Sequence, residues 1–286
     1  MIPRICTSEH SPDWQQALAG AVKSAGELLG LLDIDPAHPD IRPLISDFPI
    51  RVPISFVNRM VKGDRHDPLL RQVLPVAAEA RLVPGYGNDP LEEQHAMATP
   101  GLLHKYRGRA LLTVTGACGV HCRYCFRRHF PYSQANPAGD HWPAALDYLA
   151  GHPDISEIIL SGGDPLSLTD SRLRSLASRL AEIPHLHILR IHTRMPVVLP
   201  ERINTDLLEW LGGQRLQPVM VIHCNHPNEI NTEVVRSMHT LKHAGVTLLN
   251  QSVLLRGIND DAATLVALSR KLMASGVLPY YLHQMD

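Results

Sequence analysis

The chain has 286 residues, of which 44% are hydrophobic and 19% charged, a composition typical of a globular protein with a substantial core. Its 27 basic and 28 acidic residues leave a formal net charge of −1, so no global basic field argues for nucleic acid as a partner. No apolar run approaches the roughly 20 residues of a membrane-spanning helix, and the amino terminus lacks the apolar core of a secretion signal, so we expect neither a membrane partner nor secretion.

The first part of the chain predicts helices and turns. Apolar residues recur at helical spacing over 13–32, with Asp13 as a candidate N-terminal cap. Prolines interrupt 38–53, and 55–75 predicts two short helices around a Gly-Asp turn. We therefore predict a helical amino-terminal region over 1–95, which a connector joins to a second unit over 96–286.

The second unit predicts a parallel sheet. Six short apolar runs rich in β-branched residues lie at 110–118, 157–164, 187–194, 219–226, 247–256 and 279–286. From the second run onward they recur about every 30 residues, the length of a strand–helix–strand unit, with helical patterns between them. Strands that alternate with helices favour an α/β fold. We predict a partial (β/α)6 barrel of the TIM type, open because eight strand–helix units are not present.

The ends of these predicted strands indicate where a site lies. Each run begins apolar and finishes in polar, ionisable or glycine residues. In a β/α barrel the carboxyl ends of the strands and the loops after them build the active site. Polar loops after strands are common, but they do not explain reactive residues at all six ends. The residues that would converge on one mouth are Cys118, Asp164, Arg194, His223, Gln251 and Asp286.

Three of the chain's five cysteines, Cys118, Cys122 and Cys125, lie within eight positions at the first strand end. A structural zinc ion takes four ligands, and His121 or His129 would have to supply the fourth. A four-iron cluster fits three thiolates better, because one iron then stays open to bind a small molecule. An odd number of cysteines argues against a disulfide framework and favours a reducing, cytoplasmic setting.

The pattern C-x3-C-x2-C after the first strand of a partial barrel resembles the radical S-adenosylmethionine (SAM) superfamily. In that superfamily the open iron chelates SAM, and an aromatic residue, here Tyr124, usually precedes the third cysteine. The segment SGGDP at 161–165 is similar to the glycine-rich SAM motif after the second strand. The resemblance implies a [4Fe-4S] cluster on the three cysteines, and SAM bound by Tyr124, Gly162, Gly163 and Asp164.

Further segments narrow the resemblance to the lysine 2,3-aminomutase family. They are GLLHKYRGRALL, CRYCFRRHFPY, LSGGDPL, RMPVVLPERI, HCNHPNEI, LLNQSVLLRGIND and PYYLHQMD. Within the family, HKYRGRALL, NQSVLLR and CFRRHFPY most resemble the branch that makes β-lysine for the modification of elongation factor P. The resemblance covers about residue 84 onward. It implies conversion of L-lysine to β-lysine, an electron donor for the cluster, and a pathway link to elongation factor P and its ligase.

The resemblance also implies residues that hold the substrate. A 5′-deoxyadenosyl radical made from SAM would remove a hydrogen from the β-carbon of lysine, so the substrate must be fixed at both ends. Arg127 occupies the family position that binds the substrate carboxylate. Asp286 matches an acid that binds the distal ammonium, which favours lysine over glutamate.

A second cofactor, pyridoxal phosphate (PLP), supplies the family with the π system that amino-group migration needs. Lys105 and Arg109 lie at family positions for its phosphate, although a solvated basic turn is the plain alternative. His223 and Gln251 resemble residues that reach SAM or PLP. The family's PLP-binding lysine follows the sixth strand, so either the sequence is truncated and the anchor lies beyond Asp286, or the anchor is lost; we expect truncation.

Two other functions stay open from the sequence. A radical SAM enzyme acting on another amino acid or substrate would keep the cysteines and the SAM residues but would not need Arg127, Asp286 or PLP. A non-catalytic iron–sulfur or zinc protein would use the cysteines alone for electron transfer or structure.

Overall fold

The structure, a computed structural model, describes residues 14–38, 41, 49–80, 84–85, 87, 93–130, 132 and 142–284. The strands are β1 (Met97–Thr99), β2 (Leu102–Tyr106), β3 (Arg109–Thr115), β4 (Glu157–Gly162), β5 (Ile188–Thr193), β6 (Gln217–His223), β7 (Thr247–Val253) and β8 (Leu278–His283). The described α-helices are α1 (Trp14–Ala19), α2 (Ala25–Leu31), α3 (Ile54–Val57), α4 (Trp142–Ala150), α5 (Asp170–Ala181), α6 (Met195–Val198), α7 (Thr205–Gly212), α8 (Thr232–His243) and α9 (Ala262–Ala274). Short 3-10 helices lie at Leu70–Gln72, Ala77–Ala80, Glu93–Ala96, Pro165–Ser167, Pro200–Arg202 and Pro227–Glu229.

All eight strands form one sheet in the order of the chain. From β3 to β8 every neighbouring pair is parallel, and a helix lies between each strand and the next. These six strands are the six apolar runs of the sequence. Over the described ranges no pairing closes β8 onto β1. The α/β class and the partial barrel of the TIM type are therefore confirmed.

The parallel strands β3 to β7 are mostly buried, whereas β8 at the edge of the sheet is largely exposed. On β6, Met220 and Ile222 join the main core, whereas Val219 and Val221 form a second cluster with Leu249. The crossover helices are amphipathic and contribute one apolar face to the main core. At the starts of three crossover helices, a side chain accepts a backbone N–H from the first turn, which satisfies a donor that has no partner within the helix. These caps are Asn204, Asn231 and Asp261.

The amino-terminal region packs against the barrel. Its buried apolar residues, such as Leu28 and Phe56, belong to the same core cluster as the crossover helices. The helical pattern over 13–32 forms two helices, α1 and α2, because Val22 leaves the helical conformation to pair with Val52 in a β-bridge. Asp13 lies outside the described residues, and the predicted boundary at residue 95 stays a prediction.

The hairpin of β1 and β2 was not predicted. The two strands are antiparallel and β2 pairs with β3, so the hairpin extends the sheet at its amino-terminal edge. Gly101 in the turn has φ 81°, a conformation that glycine adopts without strain. The Pro-Gly pair at 100–101 indicates a turn. However, strands of three and five residues are too short to show the alternation of apolar and polar residues that predicts a strand. No helix in the part of the chain that the structure describes is long and apolar enough to cross a membrane.

Candidate active site

The three clustered cysteines lie on the loop that follows β3. Cys118, Cys122 and Cys125 are free and half-buried. Backbone bonds fix the loop to the amino-terminal region: the N–H of His121 donates to the carbonyl of Arg51 at 2.9 Å, and that of Arg123 donates to the carbonyl of Gln72 at 3.0 Å. The amino-terminal region therefore positions the cysteine loop.

The donor set of this loop fits an iron–sulfur cluster better than a single ion. Within the described ranges, no three His, Cys, Asp or Glu side chains converge closely enough to hold one metal ion, as structural zinc requires. The Nδ1 atom of His121 is bonded to the carbonyl of Pro49 at 2.6 Å. Burial raises the pKa of Cys125 to about 11, and burial together with Asp164 raises the pKa of Cys118 well above its usual value. Thiolates here therefore need a cationic partner, which iron ions would provide.

The glycines of the SGGDP segment let the end of β4 pack against the cysteine loop. A Cβ on Gly163 would lie 2.3 Å from the carbonyl oxygen of Ala117, and one on Gly162 would lie 2.5 Å from that of Thr115. The N–H groups of Gly163 and Asp164 donate to the carbonyls of Thr115 and Ala117, both at 2.7 Å. The close approach seen here is between two backbone segments, and contact with SAM stays a prediction.

The carboxylate of Asp164 joins the ends of β4 and β5. It accepts from the Thr193 hydroxyl and the Arg194 N–H, each at 2.7 Å, and from the Leu166 N–H at 3.0 Å. Burial raises the pKa of Asp164, whereas these hydrogen bonds oppose the shift. Three of its roughly four acceptor positions are thus engaged. The predicted bond to the SAM ammonium therefore has little free acceptor capacity and stays a prediction.

Three other predicted residues are brought together beside the cysteine loop. The rings of Tyr124 and His223 lie 5.5 Å apart between centroids, and His223 is next to Gln251 in the register of β6 and β7. The hydroxyl of Tyr124 accepts from the side-chain amide of Asn225 at 2.7 Å. Burial and the charge of Arg194 lower the pKa of His223 to about 3. Its imidazole is therefore neutral and can accept a hydrogen bond near neutral pH.

Arg127 lies at the same end of the barrel and is buried. Its Nη1 donates to the Ser161 hydroxyl at 2.8 Å. Its Nε and Nη2 donate to the two carboxylate oxygens of Glu93, at 2.8 and 2.7 Å. Glu93 was not predicted, because it belongs to a segment that resembles a connector. Together these contacts hold the guanidinium in one orientation.

Lys105 and Arg109 are not brought to this end. Lys105 is exposed on β2, and Arg109 begins β3, whereas the cysteine loop follows its carboxyl end. The guanidinium of Arg109 lies 3.7 Å from the carboxylate of Glu157. All five lysines of the chain are exposed, so the residues present do not fit an imine-linked PLP. The PLP assignments stay predictions, and Asp286 lies outside the described residues.

Arg194 makes three side-chain hydrogen bonds at this end, whereas the sequence identifies it only as the end of a strand. Its Nη1 donates to the sulfur of Cys122 at 2.8 Å, and its Nη2 donates to Gln72 at 2.6 Å and to Glu229 at 3.0 Å. Gln72 and Glu229 are fully buried, and neither was predicted as a site residue, although Glu229 lies in the segment HCNHPNEI. The site therefore includes a buried polar network that joins the cysteine loop to the amino-terminal region.

A partial (β/α)6 barrel with three cysteines on the loop after its first parallel strand defines a protein of the radical SAM type. No family model matches the chain. It is 50% identical to the L-lysine 2,3-aminomutase of Escherichia coli (strain K12) over 276 residues, which cover 96% of this chain and 80% of that protein. It is 46% identical to the Haemophilus influenzae enzyme of the same name over 289 aligned residues, all of this chain and 85% of that protein. The chain belongs to the L-lysine 2,3-aminomutase family and is an isomerase.

Proposed function

We propose that this chain is a radical SAM enzyme that converts L-lysine to β-lysine. The observation that carries the proposal is the convergence of the cysteine loop, Tyr124, His223 and the buried Arg127 at the carboxyl ends of parallel strands. The name shared by its relatives, L-lysine 2,3-aminomutase, gives the substrate. A carboxylate on an amino acid is the kind of group that a buried guanidinium binds.

The chain's own residues would divide the work as follows. Cys118, Cys122 and Cys125 would hold the [4Fe-4S] cluster, which together with SAM supplies the 5′-deoxyadenosyl radical when both are bound. Tyr124 and the neutral His223 would line the SAM side of the site, because they lie beside the cysteine loop. Arg127 would fix the substrate carboxylate, so that one hydrogen of the β-carbon faces the radical.

Finer parts of the proposal rest on the sequence resemblance alone. They are an ammonium contact at Asp286, a PLP cofactor, and use of β-lysine to modify elongation factor P through a ligase. We also place the enzyme in the cytoplasm, where an electron donor can reduce the cluster. The segment CFRRHFPY supports the link to elongation factor P.

Anaerobic reconstitution tests the proposal in three measurements. Iron and sulfide content shows whether a cluster forms, release of 5′-deoxyadenosine after reduction shows SAM cleavage, and mass spectrometry of lysine reaction mixtures detects β-lysine. Cleavage of SAM without β-lysine would favour a radical SAM enzyme of another substrate. A stable cluster without cleavage would favour a non-catalytic iron–sulfur protein.

Alanine at Cys118, Cys122 or Cys125 should abolish cluster assembly and SAM cleavage, because each sulfur is a required ligand. Cys224→Ala is the matched control, since this thiol is buried and bonded to the carbonyl of His226 at 3.6 Å. Cys6 should also be dispensable. Full iron content in any one of the three loop variants would contradict the ligand assignment.

A further inference from the structure

Arg194 connects the cysteine loop to a buried charge network. Its side chain is buried at the carboxyl end of β5, with about 5% exposed. One terminal nitrogen, Nη1, contacts Cys122, and the other, Nη2, contacts Gln72 and Glu229. These partners come from the cysteine loop, the amino-terminal region and the loop after β6. Three separate segments therefore hold one guanidinium against a sulfur.

The charge on this guanidinium is permanent. An arginine side chain stays protonated in proteins, and the Arg194 guanidinium pairs with the Glu229 carboxylate at 3.0 Å. The guanidinium carbon of Arg194 also lies 5.6 Å from the centroid of the Tyr124 ring. A buried and permanently charged donor acts strongly on a sulfur that it touches, because water does not screen it.

The contact has a defined consequence for an iron–sulfur cluster on these cysteines. Gaining one electron makes the cluster more negative, so a cationic donor to a ligand sulfur stabilises the reduced form more than the oxidised form. Hydrogen bonds to the sulfurs are one of the features that set reduction potentials. When held by Cys118, Cys122 and Cys125, the cluster would take one electron from an external low-potential donor and pass it to the sulfonium of SAM, which would cleave the C5′–S bond and return the cluster to its oxidised form.

We propose that Arg194 raises the reduction potential of the cluster by donating to the Cys122 thiolate, and that Glu229 and Gln72 hold it in place. The inference rests on the proposed function to the extent that the three cysteines carry a cluster. Arg194 is thus a positioning and tuning residue. The backbone N–H of Arg194 donates to the Asp164 carboxylate at 2.7 Å, which holds the backbone of Arg194 beside the glycine-rich turn.

The test compares midpoint potentials of reconstituted holoenzymes, measured by anaerobic redox titration with electron paramagnetic resonance. We expect Arg194→Gln to lower the equilibrium constant for reduction at least tenfold, which is about 59 mV for one electron. Arg194→Gln leaves Glu229 buried without its partner, so Arg194→Gln/Glu229→Gln is the second variant. The midpoint potential of this double variant should also be lower. The double variant removes the contact between Arg194 and the Cys122 sulfur, whereas Glu229 contacts Arg194 and not the sulfur.

Arg123→Gln is the matched control for charge in the same loop. The guanidinium of Arg123 pairs with Glu79 at 2.8 Å and donates to the carbonyl of Arg71 at 3.1 Å. The midpoint potential of the cluster in Arg123→Gln should equal that in the unmodified enzyme. Unchanged potentials in both Arg194 variants at full iron content would overturn the inference, and so would an equal drop in Arg123→Gln. If the unmodified chain itself assembles no cluster, the proposed function fails instead.

Discussion

The carboxylate of Glu93 occupies one side of the Arg127 guanidinium, at 2.8 Å from Nε and 2.7 Å from Nη2. The Ser161 hydroxyl accepts from Nη1, so three of the five N–H groups of the guanidinium are engaged. Among the residues that the structure describes, one N–H on each terminal nitrogen has no hydrogen-bond partner. A substrate carboxylate can therefore approach end-on without displacing Glu93. The amino-terminal region thus contributes to the candidate substrate site through a residue that fixes Arg127.

Arg127→Lys should lose turnover of lysine while the cluster stays intact. A lysine keeps the positive charge beside Glu93 but cannot form the planar fork that a carboxylate binds. Loss of a buried charge-assisted contact typically costs about 2–5 kcal/mol, so kcat/KM for lysine should fall roughly 30-fold or more. Steady-state kinetics with iron analysis checks this. Unchanged kcat/KM at full iron content would remove Arg127 from the substrate site.

Glu93→Gln should weaken lysine binding because Arg127 loses the ion pair that orients it. An amide offers one oxygen where the carboxylate offers two, so the bidentate contact is lost. We expect KM for lysine to rise about tenfold, which is about 1.4 kcal/mol, with SAM cleavage retained. Glu209→Gln is the control, because its pair with Arg174 at 3.6 Å is exposed on the surface. A lower KM in Glu93→Gln would mean that Glu93 competes with the substrate instead.

The sheet could be predicted from the sequence because each parallel strand is a short apolar run that ends in polar, ionisable or glycine residues. The cysteine loop could be predicted because its ligands are neighbours in the chain. The partners of Arg194 and Arg127 could not. Gln72 lies 122 positions from Arg194, and Glu93 lies 34 positions from Arg127. Their side chains meet only after the amino-terminal region packs on the barrel, and residue spacing does not encode that contact.

Gly163→Ala should displace the cysteine loop. The new Cβ would lie 2.3 Å from the carbonyl oxygen of Ala117 and 2.8 Å from the backbone of Gly116, where neither atom can move without shifting the loop. Overpacking of this kind typically costs about 1–3 kcal/mol. We expect reduced stability in chemical denaturation and reduced iron content after reconstitution.

Gly26→Ala is the control for that substitution. Gly26 lies in α2 with nothing within 4 Å of its added Cβ. Alanine favours a helix over glycine by about 0.8–1 kcal/mol, so this variant should be as stable as the parent or more so. If Gly163→Ala assembled a full cluster with unchanged stability, the packing of the SGGDP turn on the cysteine loop would not be what fixes the loop.

The stability of the chain should fall in mild acid because folding holds the half-buried His223 in its neutral form. Its pKa in the folded chain is about 3, lowered by burial and then by Arg194, against 6.5 for an unperturbed histidine. Between pH 3 and pH 6.5, the imidazole of His223 therefore binds a proton more readily in the unfolded chain than in the folded chain. The stabilisation is complete above pH 6.5 and is lost as the pH falls towards 3. At pH 5 the loss from this group should approach about 2 kcal/mol.

Urea denaturation at pH 7 and pH 5 measures this loss, with His223→Gln compared with the parent. The glutamine variant should lose less stability between the two pH values, because it has no imidazole to protonate on unfolding. His239→Gln, an exposed substitution on α8, should keep the pH dependence of the parent. An identical pH dependence in His223→Gln and the parent would show that folding does not lower the pKa of His223.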